Sequence, residues 1–258
     1  MKKIVTTILS LVLLCSITPC QNTEAASSIN KQAGKAYAEI IKKHMEVNKI
    51  AREHPGAFTV DEKEDGHIGS YVNSDIHYNG KLFEDINYIF VYGTDGGYDF
   101  SNKRVSYKIT DTNKDGVPEL YIGLSGWVYS AYTFRNRKAV KQIDWQGDRA
   151  GTGILCKNGI IKTESGVSYA GTADFYKIKK DQTVKIALSL SYDTQYSQPY
   201  YTQRQNGKTM KINEAEYNRL YAKYDKPIKT AFYKADSKAL KNIKQGKFSY
   251  KGQKSWKV

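Results

Sequence analysis

Residues 105–124 read VSYKITDTNKDGVPELYIGL, and their pattern sets the fold class. Val105, Tyr107 and Ile109 alternate with polar neighbours, and Leu120 and Ile122 do so beyond the polar run Asp111–Glu119. A period of two marks strands with one buried face. Strands joined this closely must be antiparallel neighbours, because parallel pairing needs a long crossover. The same rhythm extends both ways. Upstream, Ile86, Tyr88, Phe90 and Tyr92 alternate; downstream come Trp127 and Tyr129, then Ala131–Phe134, with Arg135-Asn136-Arg137-Lys138 as a turn before Val140 and Ile143. Asn158-Gly159 lies between Ile154-Leu155-Cys156 and Ile160-Ile161, and Asn206-Gly207 between Tyr200-Tyr201 and Met210-Lys211-Ile212. Asn-Gly between apolar runs is a strong hairpin signal. Lys179–Gln182 separates Phe175–Ile178 from Val184–Leu190 in the same way. The spacing predicts an antiparallel β-meander of roughly eight strands within residues 57–212.

Both flanks of this region carry helical signals. Tyr37, Ile40, Ile41, Met45 and Val47 recur near helical spacing, with Ala33, Ala36 and Ala38 among them and Pro55-Gly56 as the stop. This predicts one amphipathic helix within 27–56. At the other end Asn213 is a helix cap with Glu216 three residues on, and Ile212 and Tyr217 are placed to staple across it. A helix to about Tyr224, stopped by Pro227, and another from about Ser237 to Gln245, stopped by Gly246, follow. The expected class is α+β, a meander with an N-terminal helix and a helical, lysine-rich C-terminal segment over 213–258. Residues 27–258 are expected to form one globular domain.

The first 26 residues read differently. Met1-Lys2-Lys3 precedes an apolar run from Ile4 to Ile17, and small residues follow at Ala25, Ala26 and Ser27. A cationic start, a short apolar segment and small residues are the three parts of a secretory signal peptide, expected to be cleaved after Ala25 or Ala26. The run is shorter than the about 20 apolar residues a spanning helix needs. Cys15 and Cys20 follow Leu14 and Pro19, poor matches to a lipidation site, so release is expected rather than lipid anchoring. Removal of this segment leaves Cys156 as the one cysteine, and hence no intramolecular disulfide. The expected location is extracellular, free or associated with the cell surface, with no transmembrane segment after cleavage.

Asp111-Thr112-Asn113-Lys114-Asp115-Gly116-Val117-Pro118-Glu119 is the most specific motif in the chain. Oxygen-bearing side chains stand at its first, third, fifth and ninth positions, and glycine at the sixth permits a sharp turn. That is the ligand spacing of a calcium loop, in which the carbonyl of the seventh residue adds an oxygen. The twelfth position, where a helix-flanked calcium loop carries an acid, is Ile122, and the flanks are strands. The loop resembles the β-hairpin calcium loops of FG-GAP (integrin-propeller type) repeats. That resemblance implies Asp111, Asn113, Asp115, Val117 and Glu119 as ligands of a structural Ca²⁺. The unit occurs once, which argues against a propeller. The wider outline resembles uncharacterised secreted proteins of Gram-positive bacteria with a signal peptide, a leading helix, a lone D-x-N-x-D-G-x-P-E-L hairpin and an aromatic meander. That resemblance implies no activity.

Catalytic constellations fall short. His44, His54, His67 and His77 show no zinc-binding spacing, and Gly123-Leu124-Ser125-Gly126 is not a nucleophile elbow. Asp95-Gly96-Gly97-Tyr98-Asp99 reads as a glycine turn. Cys156, in an apolar strand, reads as packing. Tyr192, Tyr196, Tyr200 and Tyr201, interleaved with Ser, Thr and Gln, have two readings: an aromatic surface for sugar rings or a partner protein, or ordinary strand tyrosines.

The chain has 258 residues with 40 Lys+Arg against 26 Asp+Glu, a net charge of +14. Most of the excess is C-terminal: residues 226–258 hold ten lysines and the single acid Asp236. Lys238, Lys241, Lys244, Lys247, Lys251, Lys254 and Lys257 recur every three or four residues, as a stripe for an anionic polymer would require. A solvated face gives the same pattern. Specific nucleic-acid binding is not expected from charge alone. The functional expectation is a secreted, non-enzymatic extracellular or cell-wall-associated binding protein with a calcium-stabilised hairpin. Its expected partner is an anionic cell-wall polymer, a glycan or a surface protein. The alternative is an extracellular hydrolase acting on a wall or glycan polymer, its acids assembled from distant strands.

Overall fold

The computed structural model describes residues 18–63, 73–84, 86, 90, 104–124, 127–144, 153–167, 169–181, 183–195, 199–228, 232–248 and 255–256. Most of the expected signal segment, the alternating Tyr88 and Tyr92, and the turn at Asp95–Asp99 lie outside them.

The fold is α+β, as the periodicity predicts, but the strands form two meanders rather than one. Helix α1 (Thr18–Glu53) is followed by a small three-stranded sheet of β1 (Thr59–Lys63), β2 (Asn73–Tyr78) and β3 (Lys81–Phe83). Four strands come next, β4 (Val105–Thr110), β5 (Glu119–Leu124), β6 (Trp127–Arg135) and β7 (Lys138–Asp144), each antiparallel to its neighbour. The second meander contains β8 (Ile154–Cys156), β9 (Ile160–Val167), β10 (Ala170–Ile178), β11 (Val184–Asp193), β12 (Tyr200–Gln205) and β13 (Lys208–Ile212) in simple sequential order. Helix α2 (Glu214–Tyr224) leads to β14 (Phe232–Lys234), helix α3 (Ser237–Lys244) and β15 (Ser255–Trp256). Strand β14 pairs with β4 and with β15, so the first large sheet has the order β15-β14-β4-β5-β6-β7.

The expected count of eight strands was too low, and the C-terminal segment is not purely helical. Periodicity locates strands but does not say which of them share a sheet, and two- or three-residue strands such as β14 and β15 are too short to show a period. Ile86 and Phe90 are buried yet outside any strand, so their alternation reflects burial alone. The helix stop at Pro55-Gly56 is observed. The start is earlier than expected: α1 runs through Ala25 and Ala26, good helix formers with no breaker between Pro19 and Gly34.

Burial arranges these elements in four layers. One face of the first sheet (Tyr107, Leu120, Ile122, Tyr132) packs against Tyr37, Ala38 and Ile41 of α1 and Ala239 and Ile243 of α3. Its other face, with Tyr121, Val128, Ala131 and Ile143, meets Leu155, Ile161, Tyr176 and Ile178 of the second sheet. The far face of the second sheet (Ile160, Phe175, Leu188, Leu190) is covered by Leu220 of α2 with Tyr217, Tyr221 and Tyr224. Central β5 is therefore buried at all six positions, like a strand with packed layers on both sides. The chain returning from α2 ties the two sheets together: Pro227 bridges Cys156 at the edge of the second sheet, and Phe232 enters the layer between them.

The turn chemistry read from the sequence is present. Asn136-Arg137 and Asn206-Gly207 take positive φ at both central residues, the geometry of tight two-residue hairpins. Asn158-Gly159 does likewise within a three-residue turn, Lys157–Gly159. Asn213 caps α2 through Glu216 N–H at 2.8 Å, and Asp236 caps α3 through Ala239 N–H at 2.8 Å.

Candidate functional site

The β4–β5 turn, residues 111–118, is built by its own side chains. Asp111 accepts hydrogen bonds from Asp115 N–H at 3.2 Å and Gly116 N–H at 2.9 Å. Asn113 Oδ1 accepts from Asp115 N–H at 3.0 Å, and Asp115 Oδ1 from Val117 N–H at 2.7 Å. Short oxygen-bearing side chains thus replace the backbone partners that a polar turn lacks. Gly116 takes φ +90°, the sharp turn expected at the sixth position.

The result is a convergence of carboxylates. One oxygen each from Asp111, Asp115 and Glu119 lies within 4.8 Å of the others, the one such grouping of three metal-ligating side chains among the described residues. Glu119 is fully buried. Its Oε2 accepts from Thr112 N–H and Thr112 Oγ1–H, both at 2.7 Å, while its Oε1 is buried with no hydrogen-bond partner. Burial pushes the Glu119 carboxyl up to about 7, against the pull of the two Thr112 hydrogen bonds and with added repulsion from Asp115 and Asp111. Asn113 turns its amide nitrogen onto Asp115 Oδ2 at 3.0 Å and onto Lys179 O, in the β10–β11 turn, at 2.9 Å. The grouping therefore unites three of the five expected ligands. Asn113 sits beside them through its hydrogen bond, and Val117 lies between Asp115 and Glu119 in the same turn.

Neighbouring elements hold the turn from three sides. Tyr37 of α1 donates to Pro118 O at 2.7 Å across 81 residues, a buried bond. Tyr121 Oη and Thr112 Oγ1 are 2.7 Å apart, which extends the Glu119 network into the layer between the sheets. Gly159 packs so closely that a Cβ there would lie 2.7 Å from Thr112 O. Tyr37, Tyr121 and Gly159 carried no sign of this role in the sequence. Thr112, inside the motif, is the one whose position offered a signal.

The other expected sites separate. Tyr192 and Tyr201 pack on Tyr217 of α2, with ring centroids 6.0 and 5.4 Å away, and are half-buried in that interface. Tyr200 is exposed, with Lys211 Nζ 5.4 Å from its ring centre, and Tyr196 lies outside the described residues. The reason is helical: α2 lays Tyr217 and Tyr221 on the sheet one turn apart, Tyr217 over Tyr192 and Tyr201 and Tyr221 over Phe175. Lys238, Lys241 and Lys244 on α3 and Lys247 beyond it are exposed, and Lys244 pairs with Glu39 of α1 at 2.7 Å. Lys251, Lys254 and Lys257 lie outside the described residues. Cys156 is buried, and burial raises its thiol pKa, as suits a packing role.

Two polar features were not expected. His44 of α1 is wholly buried, with Nδ1 2.9 Å from Ile40 O and Phe90 edge-on at 4.8 Å between ring centres. Under α2, buried Lys162 donates to Tyr221 Oη at 3.0 Å and makes ion pairs with Glu164 at 3.0 Å and Asp225 at 2.9 Å. Isolated His and Lys residues in a sequence carry no sign of such burial.

Among the described residues no helix is long and apolar enough to cross a membrane. No family model, curated protein or solved structure matches the chain.

Proposed function

We propose that the chain is a secreted, non-enzymatic extracellular binding protein whose β4–β5 hairpin is locked by Ca²⁺. One observation carries the calcium reading: three carboxylates converge within 4.8 Å, and one of them, Glu119, buries an oxygen with no partner. A buried carboxylate oxygen without a hydrogen bond is costly, and a cation removes that cost. The donors are all oxygens, the set a hard dication takes, with no imidazole or thiolate to favour zinc. Asp111, Asp115 and Glu119 would hold the ion, with Asn113 and the Val117 carbonyl completing the set. Bound there, Ca²⁺ supplies structure: it ties together a turn that touches α1, the second sheet and the layer between the sheets. The signal-like first 26 residues support an extracellular setting, and the lysine-rich exposed surface supports an anionic partner, a wall polymer, glycan or surface protein.

Thermal unfolding in chelator against Ca²⁺ tests the lock. Free Ca²⁺ at a hundredfold excess over Kd should stabilise by about 2.7 kcal/mol, or roughly 5–10 °C for a chain of this size. Glu119→Gln and Asp115→Ala should remove that increment. Identical melting curves for the unsubstituted protein with and without Ca²⁺ would reject the reading.

A further inference from the structure

A cleft of about 540 Å³ opens beside the C-terminal turn of α2, on the face of the second sheet that α2 covers. Five lysines line it: Lys157, Lys177, Lys185, Lys223 and Lys226. They come from the turn after β8, from β10, from β11, and from the end of α2 and the residues after it. No carboxylate joins the lining, whose other polar side chains include the amides Asn158, Gln205 and Asn206. Asp225, flanked in sequence by Lys226 and Tyr224, pairs with Lys162 instead. Among the described residues none of the five lysines is in an ion pair; Lys223 lies over the Tyr224 ring at 5.5 Å.

The backbone forces these charges together. Lys177 and Lys185 are direct cross-strand partners, an arrangement that destabilises a sheet when the charges are alike. Lys157 donates its N–H to Lys226 O at 2.9 Å, which fixes a second pair of lysines side by side. The α3 stripe is different, because there Lys244 has Glu39 as partner on a convex helix surface. A concave site with five uncompensated ammonium groups focuses field on whatever enters it.

We infer that this cleft binds an anion carrying two or more phosphate groups. The lining has no arginine, so no planar fork selects a carboxylate; lysine ammonium groups act as point charges with three donors each, which suits tetrahedral, multiply charged oxyanions. The three amides add donors for further oxygens. The volume lies in the range of small-molecule sites, and a compact oligophosphate or a short run of a phosphate-bearing polymer presents the same groups to it. This deepens the binding-protein reading and rests on it for its setting, but the site uses none of the calcium ligands.

Calorimetric titration with inorganic tripolyphosphate, in chelator so that no free Ca²⁺ complexes the titrant, tests the site. Saturable one-to-one binding is expected, weakened at least tenfold in Lys177→Gln/Lys185→Gln and severalfold in Lys223→Gln. Lys238→Gln/Lys241→Gln on α3 should leave it unchanged. Because the Lys177–Lys185 pair is repulsive, the double variant should melt no lower than the parent, so lost binding is not lost folding. Competition by long-chain polyphosphate at equal phosphate concentration would support the site and assign a polymer; its failure alongside tight tripolyphosphate binding would support the site and assign a compact ligand. The inference is overturned by absent saturation, by equal loss in the α3 variant, or by polyglutamate of matched charge binding as tightly. A flat calcium melt with tripolyphosphate binding intact would reject the hairpin lock and leave the cleft standing.

Discussion

Each large sheet is covered on its outer face by helix, and the two covers differ in chemistry. Over the first sheet, α1 and α3 present mainly alanine, isoleucine and Tyr37, with His44 and Asn48 of α1 buried among them, His44 beside Phe90 and Tyr132. Over the second sheet, α2 presents tyrosines, stacked on one another and on the sheet, with the Lys162 ion pairs at their margin. The acidic hairpin belongs to the first sheet and the lysine cleft to the second, and the Lys157–Gly159 turn touches both. A mainly apolar cover penalises a new charge, whereas a tyrosine and ion-pair cover is stable only while its polar partners stay matched. The two halves should therefore respond to different perturbations.

Acid should act on the first half through His44. Burial lowers the His44 pKa to about 3, with repulsion from Lys141 and Lys43 adding to it against one hydrogen bond to Ile40. Unfolded, the imidazole takes its proton near its ordinary value of 6.5. Between these values the unfolded chain binds the extra proton. The stabilisation is complete above pH 6.5 and falls by about 1.4 kcal/mol per pH unit as pH drops towards 3. At pH 4.5 the loss is about 2.7 kcal/mol. Measured against His44→Leu, which keeps the opposing titration of Glu119, the parent should show this loss in urea titrations taken from pH 7 to 4.5. Parallel limbs for parent and variant would break the contrast between the covers.

Loss of an ion partner should act on the second half. Lys162→Met leaves Asp225 and Glu164 facing Tyr221 without their cation. Breaking a fully buried pair costs about 3–5 kcal/mol; because both acids reach solvent, roughly 2 kcal/mol is expected here. The calcium increment should survive, since the substitution lies on the far face of the second sheet. An urea midpoint equal to the parent's would show that the cover is held by tyrosine packing alone.

The shared turn gives the smallest effect and the sharpest test. Gly159 has φ +68° and no room for a Cβ against Thr112 O. Gly159→Ala should cost roughly 1–2 kcal/mol and weaken both calcium and tripolyphosphate binding. Impaired calcium binding with unchanged tripolyphosphate binding would show that the turn serves the hairpin only.

The acidic site was legible in the sequence because nine contiguous residues build it: Asp111, Asp115 and Glu119 converge by closing one short turn. The caps at Asn213 and the turns at Asn136, Asn158 and Asn206 were legible for the same reason, being local conformational preferences. The tyrosine reading shows the limit. Tyr192, Tyr200 and Tyr201 look alike in the sequence, yet α2 covers two of them and leaves Tyr200 exposed. Five lysines scattered from position 157 to position 226 carry no common pattern at all.

The local sequence determined the α+β class, the hairpins, the C-terminal helix stops, the cap at Asn213 and the acidic turn, all consequences of interactions between residues a few positions apart. The tertiary structure alone decided that the strands divide into two sheets, that β14 completes the first of them, that Glu119 is sealed from water, and that lysines from four parts of the chain share one cleft. Those outcomes depend on which apolar faces meet, and hydrophobic burial is non-directional: it fixes that a face is covered without writing into the local sequence what covers it.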